Sequence, residues 1–294
     1  RCRGRRREGS VETIRFLGAD DAPALLDAFN DAFADYAVDV RMDEARFRDL
    51  LARRAVRLDL SVGAFSGGRI VAFLANGFAS WRGAPSAYDS GTGVVPAFRG
   101  RGLAARTFDF AAPRLVAEGA RRYVLEVLAS NEPALRIYRA KGFAPTRRLL
   151  CFEAGRATVA ARPAAGVVVR EAPGLDAAFA AASGDFAPSW QNTSEALARS
   201  LAPRTTLEAF LDGRRAGCAV VVPSTGDLPL LAVERGFRGR GAGSALLAAA
   251  ARAAGARPLR AINVDAAAAE TARFLRARGF AETAAQFEME LPLG

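Results

Sequence analysis

Residues 98–104 read FRGRGLA, and residues 237–243 read FRGRGAG. Each stretch follows an apolar run and precedes an alanine-rich one. A strand that stops and turns at once into a helix exposes the helix's first N–H groups, which have no internal partner. Glycines let the backbone approach a ligand without a Cβ in the way, and the helix N-terminus adds about half a positive charge. A diphosphate is the natural guest of such a cradle, and Arg99 and Arg101 would add side-chain charge to it. The competing reading of a single copy is a solvated turn whose arginines serve solubility. GRGLAA (100–105) also fits the G-x-G-x-x-A form of the dinucleotide fingerprint. That fingerprint belongs in the first strand-helix unit of a parallel sheet, with an acid closing a strand about twenty residues on. Here it follows an antiparallel meander, with Glu118 before the next strand and Glu126 inside it. No Gly-Lys-Ser/Thr is present, which excludes a Walker loop.

The repetition extends beyond the loop. Arg99 and Arg238 are 139 positions apart, and Gly142-Phe143 and Gly279-Phe280 are 137 apart. Two landmarks with nearly one offset make the halves two copies of one architecture. They join near EAGRATVAARPAAG (153–166), a stretch of small residues with a proline at 163. A length of 294 residues suits two domains. We place them at 11–155 and 165–294.

In the first copy, VETIRF (11–16) reads as a strand, 20–33 as a helix with Asp20 as its N-cap, and 42–53 as a second helix. LDLSVGAF, RIVAFLANGFASW and SAYDSGTGVV read as an antiparallel meander broken by GG and RGAP. A helix follows from about Gly102 to Glu118, with Pro113 expected to kink it or cost about 3 kcal/mol. RYVLEV (122–127) is a strand, Glu132 to Lys141 a helix and TRRLLCFE (146–153) a final strand. The second copy repeats this plan from VVVREA (167–172) to a helix ending at Arg278.

Composition bounds the chemistry. No apolar stretch approaches the roughly 20 residues of a membrane span, and the start has no apolar signal core, so a cytoplasmic chain without membrane contact is expected. Histidine is absent, which removes histidine triads and argues against a zinc site. Cys2, Cys151 and Cys218 have neither metal nor disulfide spacing, and the latter two read as small core hydrophobes. No metal is expected. The net charge of +10 rests almost wholly on arginine, Lys141 being the only lysine. Outside RCRGRRR (1–7), which reads as a disordered tail, the arginines are scattered among acids, and this disfavours a nucleic-acid surface.

The order strand, two helices, meander, V-V-P-x-F-R-G-R-G-L-A, helix, strand, then N-E-P-A-L-R-I-Y-R-A-K-G-F resembles the GNAT superfamily of acetyl-CoA-dependent N-acyltransferases. The resemblance covers 11–153 well and 167–292 more weakly. It implies an α/β (α+β) fold of two tandem domains, each a mixed, mostly antiparallel sheet flanked by helices. It further implies that backbone amides of Arg99, Gly100, Arg101, Gly102, Leu103 and Ala104 hold the pyrophosphate of acetyl-CoA, the co-substrate. Val94 and Val95 would run beside the pantetheine arm and offer an N–H to the thioester carbonyl. Asn131 matches a position that contacts the arm, and Tyr138 the tyrosine that protonates the departing thiolate.

Elementary chemistry agrees with those roles. Fixed N–H donors stabilise the charge that grows on a carbonyl under attack. A phenol of pKa about 10 suits a thiolate whose thiol has a pKa of about 8.5. Tyr138 read without the motif is a core tyrosine on an amphipathic helix. An amine acceptor of pKa about 10.4 is almost entirely protonated at pH 7 and needs a base. Glu126, then Asp89, are the candidates, with surface or salt-bridged acids as the alternative. In the second copy Leu275 aligns with Tyr138 and Ala268 with Asn131, so that copy lacks the tyrosine acid and reads as degenerate. Its segment APSWQNTSEAL (187–197) is expected to help close the acceptor site, with Trp190 either a packing residue or part of that wall. The leading function is an N-acetyltransferase acting on a small-molecule or protein amine with the first copy catalytic. The alternatives are a non-catalytic acyl-CoA binding or sensing protein and, third, an arginine-rich nucleic-acid binder.

Overall fold

A computed structural model describes residues 12–35, 41–155 and 166–293. Among the described residues two compact units emerge, one formed by those up to Leu125 with Leu291–Leu293, the other by those within Glu126–Glu290. Cys2, the basic stretch 1–7 and most of the 153–166 junction lie outside the described residues.

The first unit runs β1 (Thr13–Phe16), α1 (Ala22–Ala32), α2 (Glu44–Arg53), β2 (Val62–Ser66), β3 (Arg69–Trp81), β4 (Ala84–Val94), α3 (Leu103–Ala117) and the start of β5 (Arg122–Leu128). Its strands lie in the order β1-β2-β3-β4-β5. All neighbours are antiparallel except β4 and β5, which are parallel. The long β3 has the Val/Ile/Phe/Leu content of a strand covered on both faces. Phe73 stacks on Phe29 of α1 at 5.7 Å between ring centroids, within a cluster that also takes Phe47 of α2. Ala64, Val71 and Ala72 form a separate cluster under Leu103 of α3. The buried Tyr123 hydroxyl bonds the side chain of Asn76, whose amide donates to the Leu60 carbonyl at 2.7 Å.

Two local expectations need correction. Asp20 does not cap α1. A 3-10 turn, Ala19–Asp21, comes first, and Asp21 Oδ2 accepts from the Gly18 N–H at 2.8 Å. Pro23 in the first turn presets the helical φ, so α1 starts at Ala22. Leu58–Leu60 is likewise a 3-10 turn rather than strand, and β2 begins at Val62. Pro113 lies inside α3 on its exposed side, where water can serve the carbonyl that its missing N–H leaves.

The second unit runs from the end of β5 through α4 (Glu132–Ala140), β6 (Ala144–Ala154), β7 (Val167–Ala172), α5 (Ala177–Ser183), α6 (Ser194–Arg199), β8 (Thr205–Leu211), β9 (Arg214–Val222), β10 (Asp227–Val233), α7 (Ala242–Ala253), β11 (Leu259–Asp265), α8 (Ala269–Arg276) and β12 (Ala281–Pro292). The strand order is β12-β6-β11-β10-β9-β8-β7. By the repeat, β6 closes the first copy and β12 the second, and the two have changed places. β6 pairs antiparallel with β11, while Ala129, just past β5, donates its N–H to Ala285 of β12 at 2.8 Å. The strand that closes the first copy therefore lies in the second copy's sheet. The core of this unit is the alanine- and leucine-rich face of α7 on β8 and β9, with Leu246 and Leu247 wholly buried.

Cys151 and Cys218 are buried, as small core residues should be. Burial pushes the Cys218 thiol up to about 12 and raises that of Cys151 as well. Trp190 is 2% exposed, which makes it a packing residue rather than part of an acceptor wall.

Candidate active site

In the first unit the parallel ladder of β4 and β5 runs from Ser86 opposite Arg122 to Asp89 opposite Leu125. β4 continues five residues past that point to Val94. A bulge marks the departure. Asn76 faces Asp89 and Ala75 faces Gly91, leaving Ser90 as the extra residue. The Ser90 carbonyl takes Arg54 Nη1 at 2.7 Å. Beyond the bulge the Val95 N–H donates to the Val71 carbonyl at 2.9 Å. The antiparallel alternation then turns the Val94 N–H to the opposite edge. Of the two valines singled out by sequence, Val94 is thus the one whose donor faces away from β3.

After Val94 a 3-10 turn, Pro96–Phe98, leads into the glycine loop. Gly100 has φ +77° and Gly102, the N-cap of α3, φ +71°, a region that side-chain-bearing residues seldom adopt. A Cβ at either glycine would meet no atom within 4 Å, so the space above the loop is open. Gly102 offers no side-chain cap to the first N–H groups of α3, those of Leu103 and Ala104 among them. An open, uncapped helix head with two left-handed glycines fits a diphosphate.

The two arginines of the loop are already engaged. Arg99 forks onto both oxygens of Asp35 at 2.6 and 2.7 Å and reaches the carbonyls of Ala32 and Val94 at 2.9 and 3.3 Å. The guanidinium of Arg99 holds the Asp35 carboxyl below its ordinary range. Arg101 lies over the Phe98 ring, 4.8 Å from its centroid, and pairs with Glu12 at 3.2 Å. Arg99 therefore braces the loop against the end of α1 and brings its own counter-ion.

Asp89 is buried at the bulge and accepts from Thr92 Oγ1 at 2.7 Å. The second copy repeats this feature. Asp227 begins β10 next to an equivalent register shift, and Thr225 Oγ1 donates to it at 2.8 Å. An aspartate kept at the bulge of both copies reads as part of the bulge.

The other three predicted residues belong to the second unit. Glu126, half-buried at the end of β5, accepts from Gln191 Nε2 at 2.8 Å and Asn263 Nδ2 at 2.6 Å. Asn131 is the N-cap of α4, its Oδ1 accepting from the Ala134 N–H at 3.2 Å. Tyr138 is half-buried on α4, its ring edge-on to Phe143 at 5.6 Å. The offset of 137 holds here, since Ala268 is the N-cap of α8 and Leu275 is buried within it. Asn263 is not singled out from sequence, and Gln191 only as part of the 187–197 segment. Nothing local in QNT or AINV distinguishes them from ordinary polar residues.

Family models match two parts of the chain, the acetyltransferase (GNAT) family over residues 23–143 and an acetyltransferase (GNAT) domain over residues 203–282. The chain belongs to the GNAT acetyltransferase family. Among solved structures, it is similar to a GCN5-related N-acetyltransferase from Sphaerobacter thermophilus, with 21% identity, 96% of each chain covered and a TM-score of 0.73. A tandem GNAT protein from the clavulanic acid biosynthesis pathway matches at 18% identity over 96% of this chain and 99% of that one, with a TM-score of 0.73. A putative acetyltransferase from Pyrococcus horikoshii matches at 17% over 96% and 89%, with a TM-score of 0.65. At these identities the likeness is one of fold. No curated protein matches the chain in a sequence search.

The second GNAT copy keeps the loop in the same form. Gly239 and Gly241 have φ +74° and +92°, and Arg238 reaches the carbonyls of Val233 and Ser183 as Arg99 reaches those of Val94 and Ala32. Beside it an open cleft of about 510 Å³ is lined by Asp185, Arg235, Arg238 and residues 267–270. Asp185 pairs with Arg238 and accepts from Thr271 Oγ1 of α8 at 2.5 Å. One carboxylate thus ties the loop to the helix opposite. Among the described residues no cluster of His, Cys, Asp or Glu is arranged to hold a metal ion, and no helix is long and apolar enough to cross a membrane.

Proposed function

We propose that this GNAT protein is an N-acetyltransferase that uses acetyl-CoA and carries its catalytic groups in the N-terminal copy. The head of α3 carries the reading, with its two left-handed glycines, absent side-chain cap and open space. Acetyl-CoA supplies an activated acetyl thioester. The N–H groups from Gly100 to Ala104 bind its diphosphate. The N–H of Val94, on the β4 edge that β5 has left, donates to the carbonyl oxygen where negative charge grows. Asn131 fixes the start of α4 and so the placing of Tyr138. The Tyr138 hydroxyl gives its proton to the leaving sulfur. Glu126 takes the proton of the acceptor amine, and Asp89 is the weaker candidate because Asp227 repeats it in the second copy. Burial keeps the Cys151 and Cys218 thiols protonated, so neither serves as a thiolate nucleophile, which supports direct passage of the acetyl group to the amine.

The second copy has Leu275 in place of Tyr138, and the carboxylates of Asp185 and Glu270 line its cleft. We assign it no acetyl transfer of its own. The acceptor is a primary amine on a small molecule or a protein.

Tyr138→Phe is expected to lower kcat about a hundredfold with acetyl-CoA affinity changed less than about twofold, measured by thiol release over a panel of primary amines and by calorimetry. Equal loss of both would contradict the acid role. Tight binding of acetyl-CoA without turnover on any amine would instead favour an acyl-CoA sensing protein.

A further inference from the structure

The contacts of Glu126 come from residues that the repeat assigns to the other copy. Asn263 stands 137 positions after Glu126 and is its counterpart on β11. It is 1% exposed and has φ +67°, a left-handed conformation that asparagine takes more readily than other side-chain-bearing residues and that recurs at active sites. The strand bulges at the same place. Ala261 faces Phe152 and Val264 faces Leu150, so that Ile262 and Asn263 together oppose Cys151. A bulge of this kind re-aims a side chain.

The bulge is latched on several sides. Asn192 Nδ2 donates to the Ile262 carbonyl at 2.9 Å. Asn263 Oδ1 accepts from Gln286 Nε2 at 2.9 Å, and Asn263 Nδ2 donates to Ser189 Oγ at 2.9 Å as well as to Glu126. The segment bearing Ser189, Gln191 and Asn192 is held in turn by the buried Trp190. It is also held by Arg147, which donates to the carbonyls of Ala187 and Pro188 and forks onto the buried Glu288 at 2.9 and 2.7 Å. Two neutral amides, one on a strained bulge and one on a pinned loop, thereby converge on a single oxygen of Glu126.

We propose that Asn263 and Gln191 are positioning residues for Glu126, holding its carboxylate in the orientation in which it takes the amine proton. The second copy thus contributes to acetyl transfer through its bulge and its 187–192 loop. The proposal rests on the reading of Glu126 as the base.

Asn263→Gly separates positioning from folding, because glycine adopts φ +67° without strain while removing the donor. In the full chain, the expected result is a cooperatively folded protein whose thermal midpoint falls by no more than the lost hydrogen bonds to Ser189 and Gln286 account for, kcat lowered at least tenfold with a panel of primary amines, and KM for acetyl-CoA within about twofold. A crystal structure of the same variant should show the Glu126 carboxylate in more than one rotamer. Glu126→Gln should be as slow alone as when combined with Asn263→Gly, since the two act as one unit. If Asn263→Gly fails to fold, Gln191→Leu is read by the same criteria. Full kcat and a single Glu126 rotamer in these variants, beside an inactive Glu126→Gln, would overturn the positioning role and leave the base intact. A fully active Glu126→Gln, or a parent chain that turns over no acetyl-CoA with any amine, would overturn the reading on which the proposal rests.

Discussion

At single residues, the structure places strain and charge at points that can be tested one by one. Gly77 on β3 lies against the backbone of the chain after α2, and a Cβ there would come within 2.2 Å of the Arg54 carbonyl oxygen. Gly77→Ala is therefore expected to lower unfolding free energy by about 1–3 kcal/mol or more in denaturant titration, as overpacking does. Asp21 has its carboxyl lowered to about 2, chiefly by the hydrogen bonds from Arg15. A depressed acid contributes stability that is whole above its ordinary value of 3.8 and is lost as pH falls through about 2. The gap in thermal midpoint between the parent and Asp21→Asn should thus be full at pH 5 and should close towards pH 2. Sequence makes Gly100, Gly102 and Tyr138 visible because a local pattern names each. Asn263 stays hidden because its two signs, a left-handed φ and a bulge opposite Cys151, arise only from pairing with β6, more than a hundred residues away.

The elements that carry the proposed chemistry are helix heads and the strands that feed them. α2, α5 and α6 begin with side-chain caps from Asp43, Asp176 and Thr193, whereas α3 and α7 begin on bare left-handed glycines. That contrast was legible in the repeated Arg-Gly-Arg-Gly, as were the meander and the helix boundaries to within a few residues. Less legible was the engagement of Arg99, because a guanidinium beside a phosphate cradle and one braced against Asp35 look alike in sequence. Gly102→Ala should cost about 1–2 kcal/mol in stability through the left-handed φ and weaken acetyl-CoA binding in calorimetry. If the backbone N–H groups hold the diphosphate as proposed, Arg99→Lys, which gives up the forked contact with Asp35 but keeps the charge, should weaken that binding less than Gly102→Ala does.

For the molecule as a whole, the closing strands decide what a half of this chain is. β6 pairs with both β11 and β12, so residues 166–294 taken alone leave two strands without their shared partner. Unpaired edges template association. This fragment is expected to elute as aggregate in size-exclusion chromatography. The intact protein cut once between residues 155 and 166 should still elute as one species of unchanged size. Period-two patterns told that 146–153 is a strand but not whose neighbour it is, for β6 and β12 alternate alike and their partners are far apart in the chain. Duplication with β6 of the first copy set among the strands of the second also constrains inheritance. A gene that acquired a foreign version of one half would receive a strand shaped for a sheet it no longer meets, so the two halves can change only in step, as one heritable unit.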